Sequence, residues 1–182
     1  MRYIGIDPGI KGGLAIVKFE EGRIEYHTFP FNNDCILVLK NIFSLRMNRV
    51  ANVNLEKVHS LHGQGVTSTF TFGIQFGMLI GVMQALDVNY KLVEPLTWQR
   101  PFNLMANKSE SPKKRAAEIF KKLVGEDKLT DGEIDAALIA ISAFIKDYPE
   151  EIAKYFKQHK IIKFDEGEQI SPEKLGEILW QK

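Results

Sequence analysis

Four acidic residues stand where carboxylates could gather. Asp7 ends a short apolar run, Tyr3-Ile4-Gly5-Ile6, at an Asp-Pro-Gly turn. Glu56 sits near the end of a second apolar run and is followed by a glycine-containing loop. Asp131 and Asp135 lie four apart on a predicted helix, so both project from one face, with Glu133 turned away. If the two strand ends meet at one edge of a sheet, all four carboxylates converge there. At an effective dielectric near 20, each pair ~4 Å apart would repel by ~4 kcal/mol, so the cluster needs divalent cations to persist. Hard oxygen donors with no accompanying His/Cys set select Mg²⁺ or Mn²⁺. Two such ions ~3.5–4 Å apart can flank a phosphodiester, one activating water and the other stabilising the leaving oxygen. Each acid also has a plainer reading: Asp7 as a turn residue, Glu56 as a polar position on an alternating strand, Asp131 as the N-cap of the last helix. Asp135, set among Ile134 and Ala136-Ala137-Leu138, is a charge on an apolar face and wants a partner.

The elements that must position these acids follow from pattern. Residues 3–7 and 14–17 read as a hairpin across Lys11-Gly12-Gly13, and Ile24 to Phe29 as a third strand. Asp34 is placed to cap a helix with apolar residues from Ile36 to Leu45 at helical spacing. Val50 to Val58 returns to a strand. A long apolar helix over Thr67 to Leu86 and a strand over Tyr90 to Val93 come next. Pro95 opens a short helix, Ser111-Pro112 caps another reaching about Val124, and Asp131 starts a nearly all-apolar last helix. Strands followed by alternating strands and helices describe an α/β domain with a mixed sheet. The boundaries expected are 1–147 for this domain and 148–182 for a C-terminal helical extension, with amphipathic helices over 150–159 and 172–180.

Composition narrows the class. The chain has 182 residues, 45% hydrophobic and 26% charged, with 14 Gly and 7 Pro, which excludes collagen-like and wholly disordered readings. No uninterrupted apolar run reaches the ~18 residues of a membrane span, and the start lacks a secretory pattern, so no membrane partner is expected. A single cysteine, Cys35, fits a reducing compartment. The net charge of +1 hides an asymmetry. Residues 91–124 carry Lys91, Arg100, Lys108, Lys113, Lys114, Arg115, Lys121 and Lys122 against three acids, while residues 125–135 carry five acids and one Lys. A basic segment beside an acidic one suits an enzyme acting on a polyanion; two solvated faces are the plainer alternative.

Three motifs in order resemble the RuvC family of Holliday-junction resolvases: Ile4-Gly5-Ile6-Asp7-Pro8-Gly9 with Gly12-Gly13-Leu14-Ala15, then Leu55-Glu56-Lys57-Val58, then Asp131-Gly132-Glu133-Ile134-Asp135 through Ala140. The likeness runs from Met1 to about Lys146. It implies an RNase H-like fold with a mixed five-stranded sheet flanked by helices, and a homodimer. It further implies Mg²⁺-dependent, symmetric nicking of four-way DNA junctions in recombination and repair, in the cytoplasm of a bacterial or phage-infected cell. It carries the catalytic and metal-binding roles onto Asp7, Glu56, Asp131 and Asp135. The loop after the strand glutamate places His59, with His62 and Gln64, where a side chain stacks on a base at the opened crossover. Gly73, Gly77 and Gly81, four apart on the long helix, fall where the family packs across its dimer; packing on the chain's own sheet is the alternative. Arg100 and one of Lys113 or Lys114 match the family's phosphate-contacting lysines, and Lys108 and Arg115 extend that basic surface. A branch-migration helicase is a further partner in this setting.

Three other readings stay in view. One is a relaxed nuclease that cuts forks, flaps and three-way branches as readily as four-way ones. Another is a junction-binding protein that does not cut. The glycines after Asp7 also echo the phosphate loop of actin-like and sugar-kinase folds, for which 182 residues leave little room.

Overall fold

The computed structural model describes residues 2–20, 23–31, 39–40, 50–59, 63, 65–105, 110–125 and 128–150. Five strands form one sheet: β1 (Arg2–Asp7), β2 (Gly13–Glu20), β3 (Arg23–Pro30), β4 (Val50–Glu56) and β5 (Tyr90–Val93). Their order across the sheet is β3-β2-β1-β4-β5. The first three run antiparallel and β1, β4 and β5 run parallel, the mixed arrangement expected. Four α-helices are described: α1 (Val66–Ala85), α2 (Pro95–Gln99), α3 (Pro112–Val124) and α4 (Asp131–Asp147). The helix expected after Asp34, Cys35 and the two helices expected in the C-terminal extension fall largely or wholly outside the described residues.

Strand alternation divides the core in two. Ile4 and Ile6 of β1 and Val53 and Leu55 of β4 turn to one face, where Leu79 and Met83 of α1 cover them. Tyr3, Ala15 and Val17 turn to the other, under α2, α3 and α4. Asp7 is in phase with Tyr3 and Gly5, and Glu56 with Asn54, so both acids belong to the α4 side.

Helix α4 lies against backbone. A Cβ on Gly5 would overlap the carbonyl oxygen of Ala136 and stand 2.7 Å from the amide of Ala140, so only glycine lets the helix seat this closely. At the helix start, Gly12 and Gly132 form an isolated parallel bridge, and a Cβ on Gly132 would overlap Lys11 and Gly12. At its end, Asp147 Oδ2 accepts from Tyr3 Oη at 2.9 Å and from Asn52 Nδ2 at 3.0 Å.

The N-cap of α4 is Thr130. Its hydroxyl accepts from the Glu133 amide, and the Glu133 carboxylate accepts in return from the Thr130 amide, a capping box. Asp131 is therefore the first helical residue, which corrects the cap reading. The 20 residues of α1 carry no charge and an 18-residue window of them reaches a mean hydropathy of 1.4, so the helix is long and apolar enough to cross a membrane by length and composition alone, a test that core helices of soluble proteins also pass. Thr, Ser, Gln and Gly break the apolar run without lowering the average enough to exclude it.

Candidate active site

The register of the parallel pair brings the first two carboxylates together. Ile4, Gly5 and Ile6 face Val53, Asn54 and Leu55, and one step further Asp7 and Glu56 leave the sheet on adjacent strands, ~4.8 Å apart by strand spacing. The Gly12–Gly132 bridge sets the start of α4 beside the same end, delivering Asp131 and Asp135. Glu133 is 8% exposed and points away, its carboxylate accepting from Thr130 and from the Thr28 hydroxyl at 2.9 Å. Burial would raise its pKa, but these hydrogen bonds hold it below the ordinary value.

The remaining acids are short of positive charge. Burial, followed by the nearby charges of Asp7 and Glu56, pushes Asp135 up to about 7. Glu56 is likewise pushed up to about 7, chiefly by burial, with Asp7 adding to the shift and a hydrogen bond from Trp98 opposing it. Asp7 is raised by burial against the pull of the Gly9 amide, which donates to its Oδ1 at 3.1 Å, and of Lys113. Asp131 is different: its side chain is 57% exposed and its Oδ2 accepts from Lys113 Nζ at 3.0 Å.

Two side chains that sequence reasoning left out or misplaced act here. Trp98, only 2% exposed, donates its indole N–H to Glu56 Oε1 at 2.9 Å and so fixes that carboxylate. Arg115 is 1% exposed, and its guanidinium donates to the carbonyls of Leu104 and Asn103 at 3.1 and 2.6 Å. It is an internal brace for the turn after Phe102 and is not available to a phosphate, which corrects its assignment to the DNA-binding surface. Its position was legible: one turn before Ile119 on α3, it lies on the apolar stripe with Ala116 and Leu123.

Lys113 turns to the acids, whereas Lys114 turns outward to Glu110 at 3.0 Å and Glu118 at 3.8 Å. Arg100 is exposed at the start of a 3-10 turn (Arg100–Phe102). His59 is half exposed, with Nε2 2.9 Å from Glu94 Oε2, and Lys57 holds the other Glu94 oxygen at 2.6 Å. His62, Gln64 and Lys108 lie outside the described residues. Among the described residues, no atom lies within 4 Å of a Cβ built on Gly73, Gly77 or Gly81 of α1, so these glycines do not pack on the described sheet.

The donor chemistry suits a hard divalent cation: oxygens on a rigid sheet end, with proton affinities raised first by burial and, at Glu56 and Asp135, also by neighbouring carboxylates. The arrangement is open as it stands. Among the described residues, no three His, Cys, Asp or Glu side chains close into a metal cage.

No family model matches the chain, and no curated protein matches it in sequence. In structure it is similar to Thermus thermophilus RuvC in complex with Holliday junction substrate, at 16% identity and a TM-score of 0.57, over 83% of this chain and 98% of that one. A second Thermus thermophilus RuvC structure aligns at 18% identity and a TM-score of 0.56, over 82% of this chain and 97% of the other. At such identities the likeness shows the fold, which is RuvC-like and hence RNase H-like.

Proposed function

We propose that this chain is a metal-dependent endonuclease that nicks branched DNA, with the four-way junction as its principal substrate. The observation that carries the reading is the set of half-buried carboxylates Asp7, Glu56 and Asp135, sharing uncompensated charge at one sheet end of a RuvC-like fold. Asp7, Glu56, Asp131 and Asp135 are the residues that would hold Mg²⁺ or Mn²⁺. Such cations, when bound, activate water and stabilise the leaving oxygen of a phosphodiester.

The chain's own groups do the rest. Trp98 keeps Glu56 in one orientation, and the Gly9 amide does the same for Asp7. Lys113 supplies a positive charge at the mouth of the site, while Arg100 and Lys114 offer exposed cations for the phosphate backbone. Symmetric cutting requires two sites. The exposed face of α1, where Val66, Phe70, Ile74 and Met78 are between 48% and 86% exposed beside the three glycines, is the surface for a second copy.

The test is nicking of end-labelled substrates with Mg²⁺: a four-way junction, a fork and a linear duplex side by side. Paired symmetric nicks confined to the junction are the expected result. Equal cutting of the fork would move the assignment to a relaxed branched-DNA nuclease, a reading favoured by the engagement of His59 with Glu94. Binding without cutting would leave a junction-binding protein. Asp7→Asn should lower the nicking rate by about 10³-fold or more while junction affinity survives; loss of both would make Asp7 structural.

A further inference from the structure

On the α4 side of the sheet, β4, β5, α2 and the C-terminal half of α4 border a cavity of about 400 Å³, within the size range of small-ligand sites. None of the four carboxylates lines it. Part of its wall is apolar, supplied by Val93, Pro101 and Ala143.

Its polar groups are unbalanced in one direction. Asn54 is 3% exposed and lines the cavity, yet among the described residues its Nδ2 finds no acceptor. A buried amide donor without a partner is costly, so an acceptor belongs there. Lys91, Arg100 and Lys146 stand exposed around the same cavity, and among the described residues none of them has an acidic partner. The two acids in the lining are already engaged: Glu94 by Lys57 and His59, Asp147 by Tyr3 and Asn52. The Ser142 hydroxyl donates to the Ile139 carbonyl. What is unmet is donor and cation, so the complementary ligand is rich in acceptors, anionic, and carries an apolar surface.

We propose that this cavity binds a nucleotide, with its phosphate among Lys91, Arg100 and Lys146, its base against the apolar wall, and an acceptor on Asn54. The same chemistry can come from a free mononucleotide or from an unpaired nucleotide of a DNA strand; only the second source rests on the proposed nuclease function.

The probes are dAMP, dTMP and inorganic phosphate, titrated calorimetrically into the full chain. Both mononucleotides should bind saturably and at least about tenfold more tightly than phosphate. The double variant Lys91→Ala/Lys146→Ala should weaken that binding about tenfold or more, and Asn54→Leu should weaken it as well. The two lysines are exposed, so the double variant keeps the test valid even if Asn54→Leu fails to fold. Displacement of a bound four-way junction by dAMP would assign the site to a strand nucleotide. Unchanged junction affinity in saturating dAMP would assign it to the free nucleotide. A chain that ignores junctions yet binds dAMP would sink the nuclease reading and leave this one standing. No saturable dAMP binding below about 5 mM, or binding undiminished in the double variant, would overturn it.

Discussion

Helices α1 and α4 look alike in sequence and live in opposite surroundings. Both are long, and their central stretches are apolar and uncharged. Twelve residues of α4 are buried, whereas α1 buries only Leu79 and Met83. The difference arises in the sheet beneath. Under α4, glycines at positions 5 and 13 let helix and strand backbones touch, and Asp147 ties the far end to Tyr3 and Asn52. Under α1, contact runs along one line of side chains, and the glycines of the helix itself face outward. Apolar composition therefore states that a helix must be covered without stating by what.

Glycine substitutions break this comparison most directly. Gly5→Ala should cost about 3 kcal/mol or more in urea unfolding, because the new methyl has only backbone to displace. A loss under 1 kcal/mol would mean that α4 sits less tightly than described.

The next effect in size is electrostatic. Asp135 has a folded pKa of about 7, above its ordinary carboxylate value. The folded state thus retains a proton that the unfolded chain releases, so stability falls as pH rises from about 4 to about 7. Asp135→Asn removes that loss and should stabilise the metal-free protein by about 1–2 kcal/mol at pH 8, with little gain near pH 4. The full shift overstates the gain, since Asp7 and Glu56 share the repulsion. Thermal melts at the two pH values decide it, and a pH-independent change would remove the charge argument. Mg²⁺ should raise the wild-type melting temperature and move the variant less.

Trp98→Phe keeps the aromatic bulk and deletes the hydrogen bond to Glu56. A cost near 1 kcal/mol, read as a several-fold weaker Mg²⁺ requirement curve for nicking, is the expected result. An unchanged curve would reduce Trp98 to core filling. Last and smallest, Gly77→Ala on α1 should leave the monomer unharmed or up to about 1 kcal/mol more stable through helix propensity. The same change should weaken self-association in light scattering. A wild-type chain that is already monomeric at micromolar concentration would remove α1 as a dimer surface.

Much of this architecture was readable beforehand because its signals are local. Strand alternation gives β1 to β5 to within a few residues, and Pro95 and Pro112 mark two helix starts where prolines are tolerated. The acids could be nominated because Asp7 and Glu56 end strands and Asp131 and Asp135 share a helix face. Thr130 was missed although Thr-x-x-Glu is a capping signature, since Asp131 is itself a good cap. The hydrogen-bond partners of Trp98 and Arg115 were out of reach for another reason. They lie 42 and 11 or 12 positions away in the chain, and only the fold selects them. The orientation of Lys113 against Lys114 is likewise a matter of which acid the packed helix meets.

The bridge between Gly12 and Gly132, together with the bond from Tyr3 to Asp147, has a consequence for how the protein is made. Asp135 leaves the ribosome well after Asp7, and at about 5–20 residues per second the interval is on the order of 10 s. Throughout that time the hairpin can form, but its Gly5 face has no helix to receive. Contacts this distant along the chain also slow the search for the native state. The nascent chain therefore holds Asp7 and Glu56 apart from Asp131 and Asp135 until helix α4 has been made, and the four acids meet only then.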